Sequence, residues 1–287
     1  MTRVAFQGER GAFSDEAVRL HFGPEAESVP CRTFADVFHS VAAGRVDYGL
    51  VPVENSIAGG INEVYDLMRR YDLYIRGERV LQVRHCLLAL PGQSLAEIRR
   101  VYSHPAALDQ CEGWLREAGV EAVAQYDTAG SARLVAEEKL QGVGAIASRW
   151  AAEIYGLAVI AEDIQDVKDN YTRFVVLGRD ALPRQEGPAK TALVMSTAHS
   201  PGALYQCLGA FARRGINLLN LESRPAKNRP WEYVFYLDLD GHRDDPVVAE
   251  ALAEMAAYTS FLKVLGSFPR DVTFSVSGTG DAGAAGL

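Results

Sequence analysis

The sequence predicts an α/β protein in two parts: a larger unit with a layered, largely parallel sheet, then a smaller ferredoxin-like unit. Three observations carry this expectation. Over the first 180 residues short apolar runs alternate with helical patterns, the mark of strands and helices in alternating layers. A polar stretch, Gly178 to Lys190, with two prolines and two glycines, interrupts the alternation and reads as a linker. Beyond it the order strand, helix, strand, strand, helix, strand is legible, which is the split-βαβ arrangement.

Val4-Ala5-Phe6 reads as the first strand, followed by a loop from Gly8 to Gly11 and a helix from near Ser14. Thr33 with Asp36 three residues later forms a relative of the capping box. Tyr48–Val53 is a buried strand, and Val64, Leu67, Met68 and Tyr71 then recur at helical spacing. Tyr74–Leu90 is long and rich in strand formers. Further strands fall at Val101-Tyr102, Ala122–Gln125, Val143–Ala147 and Phe174–Leu177, with helical patterns between them. In the second unit Thr191–Thr197 is a strand, and Ser200 and Pro201 are placed to cap and open a helix. Leu204, Cys207, Leu208 and Phe211 form its apolar stripe, and Gly215 can end it in the left-handed conformation. Strands at Leu218–Ser223 and Trp231–Asp238, a helix bearing Val248, Ala251, Leu252 and Met255, and a strand at Phe261–Phe268 complete the unit. The tail from Gly278 to Leu287 is rich in Gly and Ala, an expected disordered end.

Composition narrows the function. Hydrophobic residues make up 48% and charged residues 23% of 287 residues, which excludes a wholly disordered chain. Lys and Arg number 29 against 37 Asp and Glu, a net charge of −8. Such a chain is poorly suited to phosphate backbones or anionic membranes, so neither nucleic acid nor membrane is an expected partner. No run approaches the roughly 18 apolar residues of a membrane span, and the N-terminus lacks a signal-peptide pattern. None of the four cysteines sits in a CxxC pair. A reduced, cytoplasmic protein with thiols used as small hydrophobes is expected.

In open α/β sheets ligands bind beyond the carboxyl ends of the strands. There the sequence places Glu54, Asn55 and Ser56; Ser103 and His104; Asp127 and Thr128; and Ser148. One such residue is most often just a helix cap. Four corners on one edge favour a cleft in which helix N-termini meet an anion. Asp169–Phe174 is the other dense polar segment, where Thr172 and Arg173 could bind a carboxylate and a leaving oxygen, or Arg173 could simply point outward at a strand start. The six histidines show no HxxxH or HExxH spacing, and no GxSxG or Walker loop occurs. Neither metal nor organic cofactor is expected. Cys111, close to His104, reads as packing.

Several segments together resemble the prephenate dehydratase family. They are Phe6–Ser14, Val51–Ser56, Asn62–Leu67, Tyr102–Pro105, Gln110-Cys111 and Thr172-Arg173-Phe174. Gly202-Ala203-Leu204, Asn217 and Glu222-Ser223-Arg224-Pro225 resemble its C-terminal ACT regulatory domain. Ala106, where the family often has Gln, and Gly60, where a small polar residue is common, depart from the pattern.

The resemblance implies a two-lobed catalytic domain like the type II periplasmic binding proteins, followed by a βαββαβ ACT domain. Its expected bounds are 1–180 for the catalytic domain, 181–190 for the linker, 191–270 for the ACT domain and 271–287 for the tail. The chain is expected to cross between lobes near Tyr74–Leu90 and Asp163–Leu177. The implied activity is conversion of prephenate to phenylpyruvate, with Thr172 as the catalytic hydroxyl. Asn55, Ser56, Ser103, Gln110 and Phe174 are expected at the substrate, with Arg173 as carboxylate partner and Glu54 and His104 as further contacts. Phenylalanine is the expected effector, held by Gly202, Ala203, Leu204, Asn217, Leu218, Glu222, Ser223, Arg224 and Pro225. A homo-oligomer, dimer or tetramer, is expected. A non-catalytic amino-acid sensor and an arogenate dehydratase are the competing readings.

Overall fold

The computed structural model describes residues 1–226 and 233–271. Trp231 and the Gly/Ala-rich end lie outside the described residues. The first apolar run forms β1 (Arg3–Gln7), and α1 (Phe13–Phe22) follows a loop whose Gly8 and Gly11 have φ of 119° and 84°. β2 (Glu27–Cys31) is a strand the pattern did not announce, because Pro30 interrupts it. It lies at the sheet edge, where proline's missing donor is tolerated. α2 (Phe34–Ala42) opens with a complete capping box between Thr33 and Asp36. β3 (Tyr48–Asn55), β4 (Gly59–Gly60) and α3 (Asn62–Arg70) follow, and α3 buries Val64, Tyr65, Leu67 and Met68 on one face.

The strand-rich run beyond Tyr74 divides into β5 (Tyr74–Gln82) and β6 (Cys86–Ala89), which belong to different sheets. The second lobe continues through β7 (Arg100–Ser103), α4 (Pro105–Asp109), α5 (Glu112–Ala118), β8 (Glu121–Ala124), α6 (Thr128–Glu137), β9 (Val143–Ala147), α7 (Arg149–Tyr155) and the short, unanticipated β10 (Ala158–Ala161). The chain then returns to the first sheet as β11 (Tyr171–Gly178).

The two sheets run β2-β1-β3-β11-β5, with β4 beside β3, and β10-β6-β9-β7-β8. Both are mixed, not largely parallel as the sequence suggested. β1 pairs parallel with β2 and β3, but β11 pairs antiparallel with β3 and β5. In the second sheet β7 is parallel to β8 and β9, while β6 is antiparallel to β9 and β10. The cause is the double crossing. β5 leaves the first lobe and β11 re-enters it, so neither is set by a helical crossover of its own sheet.

The C-terminal unit comprises β12 (Ala189–Thr197), α8 (Ala203–Ala212), β13 (Leu218–Pro225), β14 (Tyr233–Asp240), α9 (Pro246–Ala256) and β15 (Thr259–Pro269). Its antiparallel sheet runs β13-β14-β12-β15. Ser200 and Pro201 do not open α8. The Ala203 N–H donates to Ser200 O, and Gly202 sits at φ 79°, ψ 0°. This is a type II turn with Pro then Gly at its centre, and Gly202 becomes the helix cap. One sheet face packs on α8 and α9 through Leu193, Met195, Phe211 and Leu237. The other face shares a core with the first lobe, where Val194, Tyr236 and Phe268 join Val53, Ile75 and Val175. A Cβ on Gly266 would lie 2.1 Å from Ile75 O, so β15 lies directly against the backbone of β5.

Candidate active site

The two crossings form the floor of a cleft of about 270 Å³ between the lobes. Gln7, Gly8, Phe13 and Ser14 reach it from the first lobe, His104, Gln110, Asp127 and Thr128 from the second, and Val83, His85, Asn170 and Thr172 from the crossings. The starts of α1 and α6 both face the cleft. α1 has no side-chain cap at Ala12, so its first N–H groups remain available to an anion.

A chain of side-chain amides runs across the floor, and its direction is fixed at one end. The backbone N–H groups of Ile57 and Ala58 donate to Asn55 Oδ1 at 3.0 and 2.9 Å. Asn55 Nδ2 must therefore face the other way, where its two hydrogens are shared among Asn170 Oδ1 at 2.7 Å, Thr172 Oγ1 at 3.0 Å and Tyr171 O at 3.2 Å. Asn170 Nδ2 in turn donates to Gln110 Oε1 at 3.1 Å. His85 Nε2 lies 2.9 Å from that same oxygen and so carries the ring proton. Burial pushes the His85 pKa below its ordinary value, against the opposing Gln110 bond, so the ring is neutral at neutral pH. Two consequences follow from donor and acceptor accounting. Thr172 Oγ1 is an acceptor from Asn55, leaving its own hydrogen for a molecule in the cleft. Gln110 Oε1 is occupied, leaving its NH₂ as the donor.

The expected site residues divide. Asn55, His104, Gln110 and Thr172 come together in the cleft. His104 also caps α4 by accepting the Ala106 N–H. Ser56 instead clamps the loop before β11, accepting from Tyr171 N at 2.9 Å and donating to Asp169 O at 3.1 Å. Ser103 is fully buried and donates to Ile146 O, joining β7 to β9. Phe174 is buried in the first lobe. Ser148 caps α7 and donates to Gly11 O, tying the lobes together. Cys111 is buried, which pushes its thiol up to about 12.

Arg173 is not brought to the cleft. Successive strand residues point to opposite faces, so with Thr172 on the cleft side Arg173 faces the C-terminal unit. Its Nη1 lies 2.8 Å from Asp238 Oδ2 and 3.6 Å from Glu78 Oε2, and its Nε and Nη2 lie 3.3 Å from Glu54 Oε2. Burial works against its charge, but Asp238, Tyr65, Glu78 and Glu54 outweigh burial and raise its pKa above the ordinary value. Glu54 is thereby turned from the cleft as well. His85 and Asn170 were not anticipated. Asn170 could have been found by period two, since it lies two residues before Thr172, just ahead of β11. His85 carries no local signal, because only the crossing brings it to Gln110.

The expected effector residues are dispersed within one chain. Gly202, Ala203 and Leu204 sit at the start of α8, and Asn217 and Leu218 at the entry to β13. Glu222 lies beside Gly60, and Arg224 Nε is 4.0 Å from Asp66 Oδ1, so both face the first lobe. Ser223 and Pro225 alternate to the exposed side.

A family described as prephenate dehydratase matches residues 4–182, more than half of the chain. The chain belongs to the prephenate dehydratase family. An ACT domain matches residues 191–257. Over 281 residues, covering 94% of this chain and 74% of its relative, it is 44% identical to arogenate dehydratase/prephenate dehydratase 2, chloroplastic, of Arabidopsis thaliana. A solved prephenate dehydratase from Arthrobacter aurescens in complex with L-Phe is 35% identical, with TM-score 0.85 over 94% of this chain and 90% of that one. A structure described as GqqA, a novel type of quorum quenching acylase, is 36% identical, with TM-score 0.87 over 94% and 99%. The two-lobed α/β unit with its C-terminal ACT domain is thus the architecture of a dehydratase family.

Proposed function

We propose that this chain removes carbon dioxide and water from prephenate to give phenylpyruvate, and that phenylalanine bound to the ACT domain inhibits it. The carrying observation is the contact between Asn55 and Thr172, in which the hydroxyl accepts and so keeps its own hydrogen available to a cleft ligand. In the reaction the ring–carboxylate bond breaks, its electron pair enters the ring, and the C–O bond opposite breaks. Thr172 donates a hydrogen bond to the departing oxygen, which leaves as water after taking a proton relayed from solvent. Aromatisation makes the step downhill, so no electron sink is required of a cofactor. Among the described residues that line this cleft there is no arginine, so Gln110 and the helix starts are the neutral donors proposed to hold the substrate. Weak contacts of this kind hold a carboxylate without over-stabilising it against departure. Incubation with prephenate followed by product analysis tests the reading, and absence of phenylpyruvate would end it.

Arogenate is the second reading, favoured by the Asp127 carboxylate at the cleft, which suits the ammonium that arogenate carries in place of a keto group. Parallel turnover assays decide between the two. Amide hydrolysis is less well supported. Thr172 Oγ1 meets an amide donor in Asn55 and not a base, and burial raises the thiols of Cys86 and Cys111. Effector binding is read at an interface between two ACT domains, because the dispersed effector residues of one chain need completing. Among the described residues the outer edge of β13 pairs with no other strand, which leaves it to pair with a copy. Four unpaired cysteines suit a reducing compartment, the cytoplasm.

A further inference from the structure

We infer that Arg173 is a positioning residue through which the ACT domain sets the geometry of Thr172, and that Asp238 is the ACT group that holds it. The inference rests on the regulated dehydratase reading. Three observations carry it. Arg173 follows Thr172 on β11, and across the pairing with β3 Thr172 faces Asn55 while Arg173 faces Glu54. The catalytic pair and the charged pair are therefore consecutive rungs of one ladder, on opposite sheet faces. Arg173 is largely enclosed, with its side chain 14% exposed, and its shortest ion pair reaches across the domain boundary to Asp238 on β14 at 2.8 Å.

The cluster has a second tie to the ACT domain. Glu78 on β5 lies 3.6 Å from Arg173 Nη1 and 2.8 Å from Lys190 Nζ on β12. Two residues of the C-terminal unit, of opposite charge, thus grip two catalytic-lobe residues of opposite charge. Enclosed charges of this kind resist separation, because each would be left unpaired in a poorly solvated place. A shift of β14 that keeps the cluster intact therefore pulls on Arg173, and any displacement of the Arg173 backbone is passed directly to Thr172, its neighbour on β11. β14 also pairs with β13, where Asp238 stands opposite Asn220, close in sequence to the expected effector residues Asn217 and Glu222. A ligand that moves β13 is thus one strand from Asp238. Arg173 lies outside the cleft lining, so its effect reaches turnover through Thr172 and not through substrate binding.

The test uses the full chain as wild type, Asp238→Asn, Asp238→Glu and Glu54→Gln. For each, kcat and KM are measured, together with phenylalanine affinity by calorimetry and phenylalanine inhibition of turnover. Asp238→Asn is expected to bind phenylalanine within about twofold of wild type and to keep its KM, while inhibition weakens by about tenfold or more, within the range of such couplings. Asp238→Glu, which retains the charge, keeps the inhibition. Should Asp238→Asn not fold, Glu54→Gln is expected to show the same loss, since the Glu54 side chain is 44% exposed and can lose its charge without burying an orphan. Wild type that turns over neither prephenate nor arogenate overturns the dehydratase reading. Wild type that turns over but ignores phenylalanine overturns the regulation and this inference with it. Wild type inhibited by phenylalanine, with Asp238→Asn and Glu54→Gln inhibited equally, overturns this inference alone.

Discussion

Asn55 Nδ2 lies 3.0 Å from Thr172 Oγ1, and the two residues are register partners in the antiparallel pairing of β3 and β11. The contact is therefore set by backbone pairing and not by two flexible side chains meeting by chance. Because Asn55 Oδ1 is occupied by two backbone donors, the contact has one polarity, with the amide donating and the hydroxyl accepting.

On the proposed mechanism, replacing Thr172 with Ala removes the donor to the leaving oxygen. Loss of one such group costs about 10²–10³ in kcat. Thr172→Ser is expected to retain more activity than Ala or Val, because the hydroxyl survives. Steady-state kinetics with prephenate check this, and an Ala variant within a few-fold of wild type would refute the role.

The polarity gives a sharper expectation for Asn55→Asp. A carboxylate cannot donate to Thr172 and would instead draw the threonine hydrogen to itself. It would also still accept from Ile57 and Ala58. We expect kcat to fall by about 10² with a much smaller change in KM. An Asn55→Asp enzyme with wild-type kcat would show that the hydrogen bond does not set the direction of the Thr172 proton.

His85 predicts acid sensitivity. Its folded pKa is lowered, chiefly by burial, whereas the unfolded chain titrates near the ordinary value of about 6.5. Below that value the unfolded state binds a proton that the folded state refuses, so stability falls as pH falls, by at most about 1.4 kcal/mol per pH unit from this group. Above it both states are neutral and His85 adds no pH dependence. Denaturant unfolding at about pH 7.5 and about pH 5.5 should show a smaller acid loss for His85→Gln than for wild type. Equal losses would remove His85 from the account.

Gly202 combines a left-handed φ of 79° with open space around the position of a Cβ. Gly202→Ala should therefore strain the turn by about 1–2 kcal/mol without a clash. Its expected result is weaker phenylalanine inhibition with basal turnover retained, measured by inhibition curves on the two proteins. Unchanged sensitivity would separate this turn from the effector site.

Gly266 offers the opposite case, where space is the constraint. Its Cβ would strike Ile75 O, and backbone cannot yield as a side-chain end can. Gly266→Ala should lower stability by about 1–3 kcal/mol or more and loosen the ACT domain from β5. Thermal unfolding should show a lower midpoint, and an unchanged midpoint would contradict the close approach.

The sequence by itself determined the local elements and much of the chemistry. Hydrophobic period, the Thr33–Asp36 cap, the break beyond Gly178 and the βαββαβ order are local properties, each decided within a few residues. Asn55 and His104 were singled out because strand ends are where such sheets bind ligands, and Thr172 because it opens a strand in a dense polar segment, whereas Gln110 came only from the family resemblance. Period two along Tyr171–Gly178 even held the sign that Thr172 and Arg173 face apart, although side-by-side Thr and Arg invited a shared role. Only the tertiary structure decided what lies beyond each face. It turned Arg173 to Asp238 and Glu78, joined His85 to Gln110 across the crossing, and buried Ser103 where it donates to Ile146 O. These contacts link residues far apart in the chain, and their existence depends on how two sheets and a third are brought together. No local propensity encodes that packing, because it is fixed by burial of a core shared between the domains.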